Sequence, residues 1–105
     1  MTSREAKAII EQIFDKYRKF KVVRVATNEN TPEMNFLHLV ESIVDQLEPD
    51  EKRVVQERYM KQKRITDMHV YTFQFDPPIS AVTYTKIRKA AFDKLLYTFK
   101  KLELY

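Results

Sequence analysis

The sequence contains neither glycine nor cysteine, and each absence excludes whole classes of function. A phosphate-binding P-loop, a dinucleotide-binding fingerprint and a nucleophile elbow all need glycine where the backbone approaches a ligand or adopts positive φ. Without cysteine there is no disulfide, no thiol nucleophile and no sulfur-ligated zinc. The two histidines, His38 and His69, lack the close spacing of a metal motif. We therefore predict that the protein is not an enzyme and has no catalytic residue, metal site or cofactor.

Long apolar runs are missing as well. No stretch approaches the roughly 20 consecutive apolar residues that a membrane-spanning helix needs. The first residues, MTSREAKAIIEQ, do not combine a basic flank with an apolar run, which is the pattern of a secretory signal. The sequence therefore predicts an intracellular, cytoplasmic protein without a membrane partner.

What the chain does contain is typical of a globular domain built from helices. Its 105 residues are 44% hydrophobic and 32% charged, so a single core is expected. Turns must be made by four prolines and by asparagines and aspartates, which suit connections between helices better than tight hairpins. We therefore predict an all-α fold, a small helical domain of about five helices.

The charge of the chain is concentrated in its C-terminal half. The net charge is +4, but residues 1–49 carry seven basic and eight acidic groups, whereas residues 50–105 carry twelve and seven. This asymmetry indicates a polyanionic partner for the C-terminal half, with an ordinary solvated charged face as the alternative.

Capping signals and apolar spacing predict the first three helices. Thr2 and Glu5 fit a capping box, and the apolar residues that follow at helical spacing predict a helix over residues 3–20. Two more helices are predicted over residues 32–47 and 49–63, each with a proline in its first turn.

The segments between and after these helices carry weaker signals. Val22 to Ala26 is β-branched and predicts a short extended piece, and the polar run Thr27 to Thr31 predicts a linker or mobile loop. Further along, Val70 to Phe75 is rich in strand formers, whereas Thr66-Asp67 is a good helix cap. We predict a helix over residues 66–75, because an isolated strand would have no evident partner except the first extended piece.

The last helix, Ile79 to Leu102, carries the clearest functional signal. Ser80 is placed to cap its first turn, and Asp76-Pro77-Pro78 before it cannot be helical. Its first turn is small and uncharged and its next two turns are basic, so its start can face DNA bases and its cations can face phosphates. An ordinary amphipathic surface helix is the alternative explanation. The apolar stripe expected to be buried consists of Tyr84, Ile87, Ala91, Leu95, Phe99 and Leu102.

Several residues between Leu47 and Leu95 follow a pattern known from transcription proteins. They are the run LEPDEKRVVQERY from Leu47 to Tyr59, Thr66-Asp67 with Val70-Tyr71, Ile79-Ser80, Thr83-Tyr84, and Ala91-Phe92 with Leu95. On these positions the C-terminal half resembles region four of bacterial sigma factors, and in particular the ArpU-type late transcriptional regulators of phages. Those proteins have a glycine before the Ile-Ser pair, whereas this chain has the longer segment Phe75 to Pro78 at that place. We therefore expect an unusual angle between the helix predicted over residues 66–75 and the last helix.

The resemblance implies a helix-turn-helix within residues 49–105 whose last helix enters the major groove of promoter DNA. It implies a DNA-binding site of three groups of residues. Ala81, Val82, Thr83, Thr85 and Lys86 would face bases; Ser80, Arg88 and Lys89 would face phosphates; and Lys61, Lys63 and Arg64 would reach the DNA backbone from the preceding loop.

The leading hypothesis is a sequence-specific DNA-binding transcriptional regulator, an activator of phage or prophage late genes with double-stranded DNA as its partner. Residues 1–48 would serve for dimerisation or for contact with RNA polymerase, and both parts would form one compact domain. A homodimer is expected because a single helix-turn-helix reads few base pairs.

Two alternatives belong to other functional classes. One is a non-catalytic interaction protein that binds RNA polymerase or another protein through a sigma-like fold. Its contact surface would be Tyr97, Phe99, Lys100, Lys101 and Tyr105. The other is a small DNA-packaging subunit of a phage.

Overall fold

In a computed structural model, which describes residues 1–26 and 31–105, the chain is all-helical, as predicted. The helices are α1 (Ser3–Ala26), α2 (Pro32–Asp45), α3 (Pro49–Val55), α4 (Asp67–Phe73) and α5 (Ala81–Lys101), and a π-helical turn (Gln56–Met60) continues α3. The helix predicted over residues 66–75 is confirmed as α4, which ends earlier, at Phe73, and the described ranges contain no strand. Of the predicted linker, positions 27–30 lie outside the described residues. None of the helices within those ranges has the length and apolar character needed to cross a membrane.

The helix starts lie where the capping signals predicted them. Thr2 and Glu5 form the expected capping box, in which each side chain accepts the backbone N–H of the other residue, at 3.1 and 3.4 Å. Thr31 and Thr66 cap α2 and α4, and each hydroxyl accepts a backbone N–H three residues further on, at 3.2 and 3.1 Å. These bonds satisfy N–H groups that have no partner inside the helix.

The first helix is longer than predicted, and the extended piece expected over Val22 to Ala26 is wrong. Tyr17 and Arg24 lie two turns apart on one face of α1, and both bind Glu41 of α2. The Tyr17 hydroxyl donates to Glu41 at 2.7 Å, and the Arg24 guanidinium donates to both carboxylate oxygens at 2.8 and 2.9 Å. Because only a continuous helix aligns these two donors, this contact outweighs the strand propensity of the valines.

The third helix ends at Met60 rather than at the predicted Lys63. The buried guanidinium of Arg18 donates to the backbone carbonyl of Tyr59 in the π-helical turn. The Gln62 side-chain amide donates to the Arg18 carbonyl at 2.9 Å, and the backbone is already extended at Lys61. Contacts with α1 therefore end this helix.

The main core lies between α1, α2, α3 with its π-helical turn, and α5. The N-terminal and C-terminal parts both contribute to it, so residues 1–48 and 49–105 share one core. Its buried members are Ile10, Ile13, Phe14, Tyr17, Leu37, Val40, Val44, Leu47, Val55, Tyr59, Met60, Ala91, Phe92, Leu95, Leu96 and Phe99.

A smaller core joins α3, α4 and the start of α5. Val54, Val70, Phe75 and Tyr84 are buried in it, and Ile87 packs against its edge. These contacts fix the first turns of α5 against α4. The predicted apolar stripe of α5 is confirmed except at its end: Leu102 is 45% exposed, because α5 ends at Lys101.

Candidate nucleic-acid interface

The start of α5 is set by Ser80, as predicted. Its backbone is extended, and its Oγ accepts the backbone N–H of Thr83 at 3.1 Å. The same hydroxyl donates to Thr83 Oγ1 at 3.0 Å. Helix α5 therefore begins at Ala81 with its first turn already capped.

The residues expected to face bases lie together on one exposed surface, which we call the outer face of α5. Tyr84 lies on the opposite side of the helix, where it is buried in the smaller core. Val82 is 66% exposed although it is apolar. The outer face consists of Ala81, Val82, Thr83, Thr85, Lys86 and Lys89, all of them exposed.

The two cations of the outer face are open to solvent. Lys86 makes no ion pair with any of the described residues. Lys89 lies 3.1 Å from Asp93, one turn further along α5, and the two side chains are 76% and 65% exposed. Exposed pairs of this kind contribute little free energy, so Lys89 can exchange Asp93 for a phosphate at small cost.

Behind the outer face, Asp67 of α4 holds three donors in a cluster that we call the Asp67 network. Its carboxylate accepts the Tyr84 hydroxyl at 2.6 Å, Arg58 Nε at 3.1 Å and Arg88 Nη1 at 3.0 Å. The network thus connects the π-helical turn, α4 and α5. Together with the smaller core, it holds the first half of α5 against α4.

Charge and burial act in opposite directions on the carboxyl group of this network. Burial alone would raise the pKa of Asp67, but the hydrogen bond from Tyr84 and the charges of Arg58 and Arg88 outweigh it and hold the pKa below its ordinary value. Burial and the bond to the carboxylate raise the pKa of Tyr84. Asp67 is therefore ionised and Tyr84 protonated at neutral pH.

Arg88, which was expected to contact phosphate, already has a partner inside the protein. Its guanidinium is bound to Asp67 and lies over the rings of Tyr84 and Phe92, at 5.8 and 5.9 Å from their centres. Its side chain is 27% exposed. Because α5 turns Arg88 towards α4, its charge is paired, in contrast to that of Lys86.

The basic run before α4 is exposed, but its members have different neighbours. Lys61 lines a groove between α1, α2 and the π-helical turn. Arg64 lies 2.9 Å from Glu11 of α1 and borders another groove beside Thr66. Lys63 is exposed and makes no ion pair with any described residue. Of the three, Lys63 is the one whose charge is neither paired nor part of these grooves.

A groove that the sequence did not predict lies between the start of α1 and the outer face of α5. We call it the α1–α5 groove; its volume is about 390 Å³. Thr85 and Lys89 of the outer face form one wall, and Lys7 of α1 and the capping residue Thr2 belong to the other. No local pattern marks this groove, because it depends on how two distant helices pack.

No family model, curated protein or solved structure matches this chain. Within residues 1–26 and 31–105, no three histidine, aspartate or glutamate side chains come together as the ligands of a metal ion would. The outer face of α5 and the surfaces beside it are therefore the basis for inferring function.

The second surface considered from the sequence lies at the other end of α5 and does not include Phe99, which is fully buried in the main core. Tyr97, Lys100, Lys101 and Tyr105 line a groove of about 310 Å³ together with Leu96. The Lys101 ammonium lies 5.7 Å from the centre of the Tyr97 ring, and Lys100 lies 5.7 Å from that of Tyr105. This groove is apolar with a cationic rim.

Proposed function

We propose that the protein is a sequence-specific DNA-binding transcription regulator that places the first turns of α5 in the major groove. The observation that supports this is the composition of the outer face: small, uncharged side chains at the capped helix start, followed by exposed lysines. Small side chains let a helix approach base edges closely, and cations one turn further on match the flanking phosphates.

In this proposal α4 and α5 act as a helix-turn-helix. The seven residues of α4 would cross the DNA backbone, and the connection to α5 is packed into the smaller core through Phe75. The resemblance to ArpU-type regulators makes activation of phage or prophage late genes the specific role that we propose. No catalytic step is part of it.

One copy of such a unit reads few base pairs. Each correct base pair is worth about 1 to 3 kcal/mol, so useful specificity requires two copies on one site or a second DNA-bound partner. We propose a homodimer or a complex with RNA polymerase for this reason.

The first test is the double variant Lys86→Ala, Lys89→Ala, measured by fluorescence anisotropy with labelled duplex DNA at several salt concentrations. Each lost phosphate contact should reduce the slope of log affinity against log salt by about 0.9, so we expect a change of about 1.8 for all duplexes alike. The matched control is Lys100→Ala, Lys101→Ala, which removes two lysines from the other end of the same helix. Equal binding by wild type and the first variant would rule out this interface.

Thr83 tests base recognition separately. Its methyl group is placed to contact a thymine methyl, so Thr83→Ala should change discrimination between sites and leave the salt slope as it is. Selection of bound fragments from a random duplex pool, by wild type and by the variant, measures this. Identical selected sequences would place base reading elsewhere.

A second candidate function rests on the groove at the C-terminal end of α5. An apolar groove with two lysines at its rim suits an acidic protein segment with an apolar anchor, and RNA polymerase or another protein could supply it. If the protein shifted no duplex in gel electrophoresis but co-purified with polymerase, and Lys100→Ala, Lys101→Ala abolished that association, this function would replace the first. A closed ring of many subunits, seen by mass measurement, would favour DNA packaging instead.

A further inference from the structure

The first and last helices run in the same direction through the main core. The rings of Phe14 in α1 and Phe99 in α5 pack with their centres 6.2 Å apart. Towards the other end, Ser3 and Lys7 of α1 share the α1–α5 groove with residues of α5 as early as Thr85. The two helices therefore present their N-terminal ends to the same side of the molecule.

The α1–α5 groove is lined by apolar side chains, among them Phe92 and Leu96, and has a lysine on each wall: Lys7 on the side of α1 and Lys89 on the side of α5. Arg88 also lines it but is bound to Asp67, and Lys89 pairs only with the exposed Asp93. Lys7 is exposed and makes no ion pair with any described residue. The nearby carboxylate of Glu5 is used in the capping box. Lys7 is thus a free cation on the wall that faces Lys89.

The dimensions of the helix place this groove at the level of a DNA backbone. Val82 and Lys89 are seven residues apart, a rise of about 10 Å at 1.5 Å per residue. The major groove is about 12 Å wide. When the helix start contacts bases, Lys89 and the groove beside it therefore lie close to the phosphates that border the major groove.

We propose that a phosphate strand of the bound duplex runs along the α1–α5 groove and that Lys7 contacts it. This inference rests on the proposed function and extends the interface from α5 to α1. It gives the start of the chain a part in DNA binding, besides the dimerisation or polymerase contact expected for residues 1–48. The hydroxyl group of Ser3, which also lines the groove, is a further donor for the same strand.

The test compares Lys7→Ala and Lys7→Gln with Lys19→Ala, an exposed lysine near the other end of α1. Affinity for a short labelled duplex of mixed sequence is measured by fluorescence anisotropy between about 50 and 200 mM salt. Both Lys7 variants should reduce the slope of log affinity against log salt by about 0.9, because one released counterion is lost. Lys7→Arg should keep the wild-type slope, and so should Lys19→Ala.

The outcomes separate this inference from the proposed function. If wild type binds and Lys86→Ala, Lys89→Ala weakens binding while both Lys7 variants keep the wild-type slope, the groove carries no phosphate and only the inference is wrong. If Lys19→Ala reduces the slope as much as Lys7→Ala, the effect is one of net charge and the inference is also wrong. If wild type binds no duplex, the proposed function itself fails.

Discussion

At the scale of single residues, Asp67 is the charged side chain that we expect to contribute strongly to stability, because it joins three elements. Its carboxylate neutralises Arg58 and Arg88, whose side chains are only 13% and 27% exposed, and accepts the hydroxyl of Tyr84. Removing its charge would leave two partly buried guanidinium groups without a counterion. Loss of a partly buried ion pair lowers the free energy of unfolding more than loss of an exposed pair does.

We expect Asp67→Asn to lower the free energy of unfolding by about 2 kcal/mol, because the amide keeps the shape but not the charge. Urea unfolding followed by circular dichroism measures this. The control is Asp93→Asn, which breaks the exposed pair with Lys89 and should cost less than about 0.5 kcal/mol. Equal stability of the two variants would contradict the structural role of the network.

The lowered pKa of Asp67 predicts how the free energy of unfolding depends on pH. The folded protein holds the pKa of Asp67 below its ordinary value, so the stability it contributes is present above the unfolded pKa and is lost as the pH falls through the folded pKa. The difference in unfolding free energy between wild type and Asp67→Asn should be complete at neutral pH and shrink below about pH 4. A difference that stayed constant down to low pH would show that the charge of Asp67 is not involved.

Two buried tyrosines, Tyr59 and Tyr84, should respond differently to loss of the hydroxyl. Tyr59 is fully buried, its hydroxyl has no hydrogen-bond partner among the described residues, and burial raises its pKa to about 12. Tyr59→Phe should therefore be neutral or stabilise by up to about 1 kcal/mol, whereas Tyr84→Phe should destabilise by about 1 kcal/mol because it removes the bond to Asp67. Thermal unfolding of both variants tests the pair, and a loss at Tyr59 as large as that at Tyr84 would show that the buried hydroxyl has a partner.

At the scale of helices, the starts were predictable, whereas the ends of α1 and α3 were not. A start depends on a cap that bonds within three residues, so Thr31, Thr66 and Ser80 marked their helices in the sequence. An end depends on distant partners. The extension of α1 needs Glu41, and the early end of α3 needs Arg18, neither of which a local pattern can reveal.

The cap of α5 matters for stability as well as for its position. Ser80→Ala removes the acceptor of the Thr83 backbone N–H and should cost about 1 kcal/mol of unfolding free energy. Ser42→Ala is the matched control, because this exposed serine lies inside α2, where alanine is the better helix former. Chemical denaturation of both variants gives the comparison; a loss at position 42 equal to that at position 80 would argue against the cap.

The candidate interface was only partly predictable, for a related reason. Helical periodicity separates the outward from the inward residues of α5, so Val82, Thr83 and Lys86 were placed on the exposed side. The partner of Arg88 lies 21 positions earlier, in α4, and the α1–α5 groove joins the two ends of the chain. Contacts between residues so far apart in the sequence depend on how the helices pack, which local patterns do not reveal.

At the scale of the whole molecule, the N-terminal part completes the core of the C-terminal part. Phe92, Leu95 and Phe99 of α5 and Tyr59 are buried in the core that α1 and α2 close. Without those two helices, these side chains would be exposed to water, at a cost of about 1.5 to 3 kcal/mol for each large apolar residue. We therefore expect the fold to unfold as one cooperative unit.

We expect a fragment of residues 49–105 to be unable to unfold cooperatively on heating, in contrast to the full chain. Thermal melts followed by circular dichroism at the same protein concentration provide the measurement. A sharp transition in the fragment would mean that the smaller core suffices and that α1 and α2 form a separable module. Adding a peptide of residues 1–48 should restore the transition if the core is shared as described.

The bonds from the Asp67 carboxylate of α4 to Tyr84 and Arg88 of α5 affect how the protein would associate with a ligand. A helix already held at its working angle needs little rearrangement on encounter, so association would proceed nearly as a rigid-body event with a small entropic penalty. In the proposed DNA-binding role, weakening these contacts by Asp67→Asn should then slow association with a duplex even at temperatures where the variant stays folded.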